Sequence, residues 1–251
     1  PESLATYADQ GVQVRYADYD TPSSLSTALN GVEKLLLISS SEVGKRSAQH
    51  QAVIDAAAQA GVTLLAYTSI LHADRSSLML AEEHRATEAA LQSSGLAHVL
   101  LRNGWYSENY TGTAAMTVEQ GALYGCAGEG RISSASRGDF AAAAVAVLTS
   151  AESQAGKVYE LAGDGAFSLS DYAAELTRQS GKSITYNNMS QEDYQALLLQ
   201  VGLPEGLAVM LANSEAGASQ GDLFDESGDL SRLIGRPTTS IQQSVTDALS
   251  A

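Results

Sequence analysis

Cysteine is almost absent: Cys126 stands alone among 251 residues, so no disulfide forms within the chain and a reducing compartment is the expected setting. Basic residues are scarce as well. Against 29 Asp and Glu there are 14 Lys and Arg, a formal charge of −15, which argues against a nucleic-acid partner because such proteins carry a basic footprint. A local pocket for one phosphorylated cofactor remains compatible with that balance. No apolar run is long enough to span a bilayer; the longest, residues 140–148, is alanine-rich and suits a packed helix. The first residues carry neither a charged nor an apolar leader segment, so no signal peptide is read and the cytoplasm is the expected location. Four scattered histidines without H-x-x-x-H or C-x-x-C spacing suggest no metal site. Hydrolysis by a Ser/His/Asp set is not expected either.

What is present is an alternation of short apolar runs and longer amphipathic segments, in a chain that is 44% hydrophobic and 17% charged and therefore globular by composition. Residues 1–10 read as a short helix, residues 12–16 as a strand, and Thr21-Pro22 as the opening of a helix that closes at Gly31. Residues 34–38 make a strand running into Ser39-Ser40-Ser41, residues 46–60 a helix stopped by Gly61, and residues 63–67 a strand followed by Thr68 and Ser69. A helix over 78–94 and a strand over 98–102 complete the rhythm. Such an alternation predicts an α/β fold with a doubly wound, Rossmann-like parallel sheet. After residue 120 the pattern loosens. Residues 121–136 read as loop and short strand, 137–150 as helix, 158–161 as strand, 168 onward as a capped helix, and 184–186 as strand. The remainder is mostly helical, with a break at Gly202-Leu203-Pro204 and a last helix over 238–251. The expected division is a nucleotide-binding domain over 1–120, with elements returning from about 131–162, and a smaller α/β lobe over 163–251.

Leu100-Leu101-Arg102-Asn103-Gly104-Trp105-Tyr106-Ser107-Glu108-Asn109-Tyr110 is the stretch around which the rest is organised, and it holds the sole tryptophan. It follows a strand, and ligands of open α/β sheets bind at the carboxyl ends of strands. As residues alone, these aromatics serve equally well to pack a strand-to-helix turn. A glycine-rich phosphate turn of the kind that opens a dinucleotide fold does not begin this sequence. If residues 12–16 form the third strand of such a sheet, its first two are missing from the given sequence, which is then expected to bind cofactor weakly. The alternative is a smaller sheet in which residues 12–16 pair directly with a neighbour.

Gly31-Val32-Glu33-Lys34-Leu35-Leu36-Leu37-Ile38-Ser39-Ser40-Ser41, Ala66-Tyr67-Thr68-Ser69 with His72-Ala73-Asp74, the Leu101 to Tyr110 stretch, and Leu233-Ile234-Gly235-Arg236-Pro237-Thr238-Thr239 together resemble one family. It is the bacterial NADPH-dependent quinone oxidoreductases of the NmrA-like group, among the atypical short-chain dehydrogenases. The resemblance covers essentially the whole chain and implies NADP(H) as cofactor, a small-molecule quinone as substrate, and no insertion in a membrane; a homo-oligomer is compatible with it. It places Ser39, Ser40 and Ser41 against the cofactor's ribose and phosphates. Asn103, Gly104, Trp105, Tyr106, Ser107 and Glu108 fall at the nicotinamide half, Asp18 and Tyr19 near the adenine, and the 134–137 loop near the substrate opening. A serine triplet is more often simply a turn.

Short-chain dehydrogenases use a tyrosine and, four residues on, a lysine to move the proton that accompanies hydride transfer. Alignment with the family puts Leu80 and His84 at those positions, so the relay is absent. A quinone tolerates this loss because hydride addition yields a delocalised phenolate, and catalysis becomes mainly a matter of holding two flat rings together. The expected catalytic residues are Asn103, orienting the carboxamide or a quinone oxygen, and His72 or His84, polarising the second oxygen. Trp105 and Tyr106 would form a flat apolar wall. His84, between Glu83 and Arg85, reads otherwise as a solvated helix residue, and His72 as an ordinary loop residue. Tyr186 and Tyr194 either close over substrate or pack. Two other functions fit the same residues: a dinucleotide-binding redox sensor without turnover, and a reductase of another planar acceptor such as a dye.

Overall fold

The computed structural model describes residues 4–250. In chain order the elements are α1 (Ala5–Ala8), α2 (Pro22–Ala28), β1 (Lys34–Leu37), α3 (Arg46–Ala60), β2 (Leu64–Ile70), α4 (Met79–Ser93), β3 (His98–Asn103), α5 (Glu108–Thr111) and α6 (Ala114–Gln120). There follow β4 (Ala122–Gly125), α7 (Arg137–Thr149), β5 (Val158–Leu161), α8 (Leu169–Ser180), β6 (Thr185–Asn188), α9 (Gln191–Gln200), α10 (Glu205–Ser219), α11 (Asp229–Ile234) and α12 (Ile241–Ser250). Four strands form one sheet in the order β1-β2-β3-β5, and β4 pairs with β6 in a second. β1 and β2 run parallel with Lys34 opposite Leu64 and Leu37 opposite Tyr67. The α/β architecture with a parallel sheet is as expected.

The chain clusters into two compact units. Among the described residues the first comprises 4–68 with Glu83–Leu100 and Glu152–Lys157; the second comprises Ser69–Glu82, Leu101–Ala151 and 158–250. These limits do not coincide with a division at residue 163. In the first unit the core joins Leu25 of α2 and Leu29 just after it, Val53, Ile54 and Ala57 of α3, and Leu37, Leu65 and Tyr67 of the strands. The buried positions of α3, Arg46, Gln49, His50, Val53, Ile54 and Ala57, recur at helical spacing, and Gly61 closes it with φ 73°, a left-handed turn that glycine adopts without penalty. Burial of this set is the main force holding the unit, at roughly 25 cal/mol per Å² of apolar surface.

Residues 12–16 are not a strand. A strand exists by pairing its N–H and C=O groups, and among the described residues this segment has no ladder partner. Arg15 anchors it instead, its guanidinium donating at 2.7 Å to the carbonyls of Ala28 and Asn30, while Val12 and Tyr16 lie exposed. β2 runs longer than expected, through Thr68 and Ser69 to Ile70, and just beyond it Leu71 N donates to Asn103 O at 2.9 Å.

In the second unit β4 and β6 lie parallel, Ala122 opposite Thr185. Around them α8, α6 and α12 bury Leu169, Tyr172, Leu176, Ala114 and Val245. α8 starts where its cap residues require: Ser168 Oγ accepts from Asp171 N, and the Asp171 carboxylate accepts from Ser168 N. Among the described residues no helix is long and apolar enough to cross a membrane.

Candidate functional site

In the first unit the sheet edge after β1 is a hydrogen-bonded turn. Ser39 N donates to Thr68 Oγ1 at 2.8 Å, and Ser40 N donates to His50 Nε2 at 3.0 Å. Because His50 Nε2 accepts, its proton is on Nδ1, which donates to Thr87 Oγ1 at 2.9 Å, and Thr87 in turn donates to the Glu83 carbonyl. Burial, helped by the nearby Arg46 charge, pushes the His50 pKa down to about 4, so the ring stays neutral and the relay keeps its direction. Arg46 Nε donates to Ser40 O at 2.7 Å and fixes the same turn from the other side. Ser40 Oγ accepts from Glu42 N, the local bond expected of a serine turn. Asp18, Tyr19, Ser39, Ser40 and Ser41 line one concavity of about 620 Å³, with Gln49 at its border. Five residues singled out from the sequence thus meet in one place.

His84 corrects the expectation of a solvated helix residue. It is buried, its Nδ1 shares a 2.8 Å hydrogen bond with the Tyr67 hydroxyl, and desolvation drives its pKa down to about 3. The charged neighbours Glu83 and Arg85 gave the wrong impression because α4 turns His84 toward Tyr67, whose ring also meets His50 at 5.4 Å between centroids. His50 is likewise buried.

In the second unit β3 ends at Asn103, which is 8% exposed and whose Oδ1 is buried without a hydrogen-bond partner. A buried acceptor left without a partner costs about 1–3 kcal/mol, a cost that a bound ligand or water with a donor would relieve. Gly104 follows at a close approach: its N donates to Leu161 O at 2.7 Å, and a Cβ there would stand 3.0 Å from that same oxygen. Trp105 O accepts from Ala135 N, and Ser107 N donates to Ala135 O, so the segment is stitched to residues 133–135 as a short parallel bridge. Ser107 is fully buried and its hydroxyl pairs with that of Ser134 at 2.9 Å. The Glu108 carboxylate accepts from Arg137 N at 2.9 and 3.1 Å, which caps the first turn of α7. Tyr106 lies under the Arg137 guanidinium, 4.2 Å from the ring centroid, and edge-on to Phe140.

His72 is held in a strained backbone conformation against two carboxylates rather than in an ordinary loop. It alone among the described non-glycine residues has a positive φ, 51°. Its backbone N donates to Glu160 Oε2 at 2.8 Å, Nδ1 lies 3.5 Å from the same oxygen, and Nε2 faces Phe224 O at 3.2 Å and Asp225 Oδ2 at 3.5 Å. Glu160 also takes Arg102 at 2.9 Å, and Arg102 reaches Asp74 at 2.6 Å. The Glu160 hydrogen bond, against some desolvation, raises the His72 pKa above 6.5. A raised folded pKa means that the stabilisation is complete below the unfolded value and is lost as pH rises through the folded one. Unfolding titrations should therefore show wild-type stability falling above pH 6.5 relative to His72→Asn, a residue that tolerates the same φ; parallel pH curves would contradict this.

One feature of the second unit was missed in the sequence. Trp105, Tyr110, Tyr172, Tyr194 and Glu215 line a mainly apolar cavity of about 340 Å³, within the roughly 300–1,000 Å³ usual for small-molecule sites. Tyr194 borders it, while the Tyr186 hydroxyl bonds Asn188. Glu215 Oε2 accepts from Cys126 N at 2.8 Å, and burial pushes its pKa up to about 7. The available signal was a second carboxylate of α10, ten residues after Glu205 in a largely apolar stretch. Among the described residues no group of His, Cys, Asp and Glu side chains has the makings of a metal site. A G-x-S-x-G spacing does occur, at residues 217–221, but it lies at the end of α10 rather than on a strand-to-helix elbow, and Ser219 Oγ merely donates to Ala216 O.

A family model described as NAD(P)H-binding matches residues 1–151. The chain is also 57% identical over 245 residues to Quinone oxidoreductase 2 of Escherichia coli K12, covering 98% of this chain and 85% of that protein. It belongs to the NAD(P)H-binding family. The crystal structure of an E. coli NADPH-dependent quinone oxidoreductase complexed with NADPH matches with a TM-score of 0.97 at 56% identity, over 99% of this chain and 88% of that one. That of a Citrobacter triphenylmethane reductase complexed with NADP(H) matches with a TM-score of 0.92 at 35% identity, over 98% and 87% respectively. For an NAD(P)H-binding protein, the unpartnered Asn103 Oδ1 fits a nicotinamide carboxamide, whose NH2 group can donate to it.

Proposed function

We propose that this NAD(P)H-binding protein is an NADPH-dependent reductase that passes hydride to a quinone in a reducing, cytoplasmic setting. The unsatisfied Asn103 acceptor at the carboxyl end of β3 carries the reading from the structure, and the 57% identity to an E. coli quinone oxidoreductase supports it. Bound NADPH supplies the hydride. Asn103 orients the carboxamide, Gly104 lets the segment lie close against the end of β5, and Trp105 offers an apolar wall. Ser39, Ser40 and Ser41, their backbone held by His50, Thr68 and Arg46, present hydroxyl groups to the ribose and phosphates, with Asp18 and Tyr19 beside them. Ser107, Glu108 and Tyr106 act by fixing this segment to residues 133–137. The polarising role expected of His84 or His72 loses ground, because burial keeps the His84 ring neutral and its Nδ1 is bonded to the Tyr67 hydroxyl, while His72 has both nitrogens facing fixed acceptors.

The likeness to a Citrobacter triphenylmethane reductase makes a dye the second acceptor to try. The test is NADPH oxidation with a quinone, a triphenylmethane dye, an azo dye, or no acceptor. Fastest turnover with quinone is expected. Faster dye reduction would reassign the acceptor, and saturable NADPH binding without any turnover would favour a sensor.

A further inference from the structure

The 340 Å³ cavity of the second unit has a chemistry that the proposed hydride transfer leaves unused. Its walls are apolar and aromatic, and Glu215 is the sole ionisable carboxyl, and the sole acid or base other than phenols, among its described lining residues. Two further observations indicate that its polar end is built. Tyr110 is buried and its hydroxyl finds no partner. Residue 125 is glycine, and a Cβ there would collide with the Glu215 carboxylate and with Leu169, so the carboxyl has its place only because that side chain is missing. A buried donor without an acceptor, beside a buried acid in an apolar slot, is the complement of a flat ring with a carbonyl at its edge.

Building on the quinone-reductase reading, we propose that this cavity receives the quinone ring, that the Tyr110 hydroxyl donates to its carbonyl oxygen, and that Glu215 delivers the proton accompanying hydride. The balance closes. Hydride brings two electrons and one hydrogen nucleus to the quinone, the resulting oxyanion takes a proton from the Glu215 O–H, and the carboxylate left behind is reprotonated from water. The product is the hydroquinone, with one proton consumed overall. Glu215 replaces the missing tyrosine and lysine relay from a different element, α10.

Groups from every packed element face this carboxyl: Cys126 after β4, Tyr194 on α9, Tyr186 on β6 and Tyr110 on α5, with Tyr172 of α8 beside Tyr110. Burial pushes the Cys126 thiol and the Tyr186 phenol up to about 12, and the other phenols rise as well. Near neutrality Glu215 is thus the member of this group that titrates.

Trp105 borders the cavity and is the only tryptophan, so its fluorescence reports on occupancy. The probe is duroquinone, whose fully substituted ring cannot alkylate Cys126. Without NADPH it should quench Trp105 saturably, and Tyr110→Phe should weaken this binding about tenfold, the value of one buried hydrogen bond. With NADPH, wild-type kcat should fall as pH rises through about 7, while Glu215→Gln binds duroquinone within threefold of wild type yet turns over at least tenfold more slowly, with no inflection there. An unchanged pH profile in Glu215→Gln overturns the proton-donor role. Turnover with unquenched Trp105 overturns the cavity while the reductase stands; saturable quenching with no turnover at any pH overturns the reductase reading and the proton step together.

Discussion

Gly163→Ala is expected to cost the protein about 3 kcal/mol or more, because the added Cβ has nowhere to go. It would enter the van der Waals envelope of the Ser134 carbonyl oxygen, and backbone cannot swing aside as a side chain does. Gly163 N also donates to Ser133 O at 2.9 Å, so relief of the clash must break that bond or push residues 133–135 away. Those residues hold Tyr106 and Ser107, so displacement spreads into the segment that begins at Asn103. A fall in melting temperature of roughly 6–12 °C, together with weakened cofactor binding, is the expected result in thermal unfolding and binding assays. Unaltered melting would mean that the approach of these two backbones is looser than described.

Asn103→Leu should separate activity from stability. Leucine fills similar volume and removes an acceptor that is buried and unpaired, relieving a cost of about 1–3 kcal/mol. The backbone bond from Leu71 N to Asn103 O is untouched. The melting temperature of the cofactor-free protein should hold or rise, while kcat/KM for quinone reduction should fall about 100-fold, the penalty of a misplaced reacting ring. That combination is the signature of a group retained for function at the expense of the fold. Unchanged turnover would remove Asn103 from the site.

Much of the fold was legible because the signals were local. α3 occupies residues 46–60 and stops where its terminal glycine indicates, β5 occupies 158–161, and Ser168 caps α8 as its side chain suggests. Residues 12–16 misled because their β-favouring composition says nothing about whether a partner strand lies alongside. The site was legible in part for the same reason. Ser39, Ser40 and Ser41 meet Asp18 and Tyr19 in one concavity, and their position after a strand was a local fact. The burial of His84 was not, since it depends on Tyr67, seventeen positions earlier and on a different element. Glu215 lay further from reach still: the partner that fixes it, Cys126 N, is 89 positions away.

Hydride transfer from NADPH to quinone is tested most directly by a single-turnover experiment. Protein preloaded with NADPH is mixed rapidly with quinone, and loss of the reduced nicotinamide is followed with hydrogen or deuterium at the transferred position. Direct hydride transfer predicts quinone-dependent oxidation in one step, slowed by deuterium. Oxidation at the same rate without quinone, or none with it, would contradict the account.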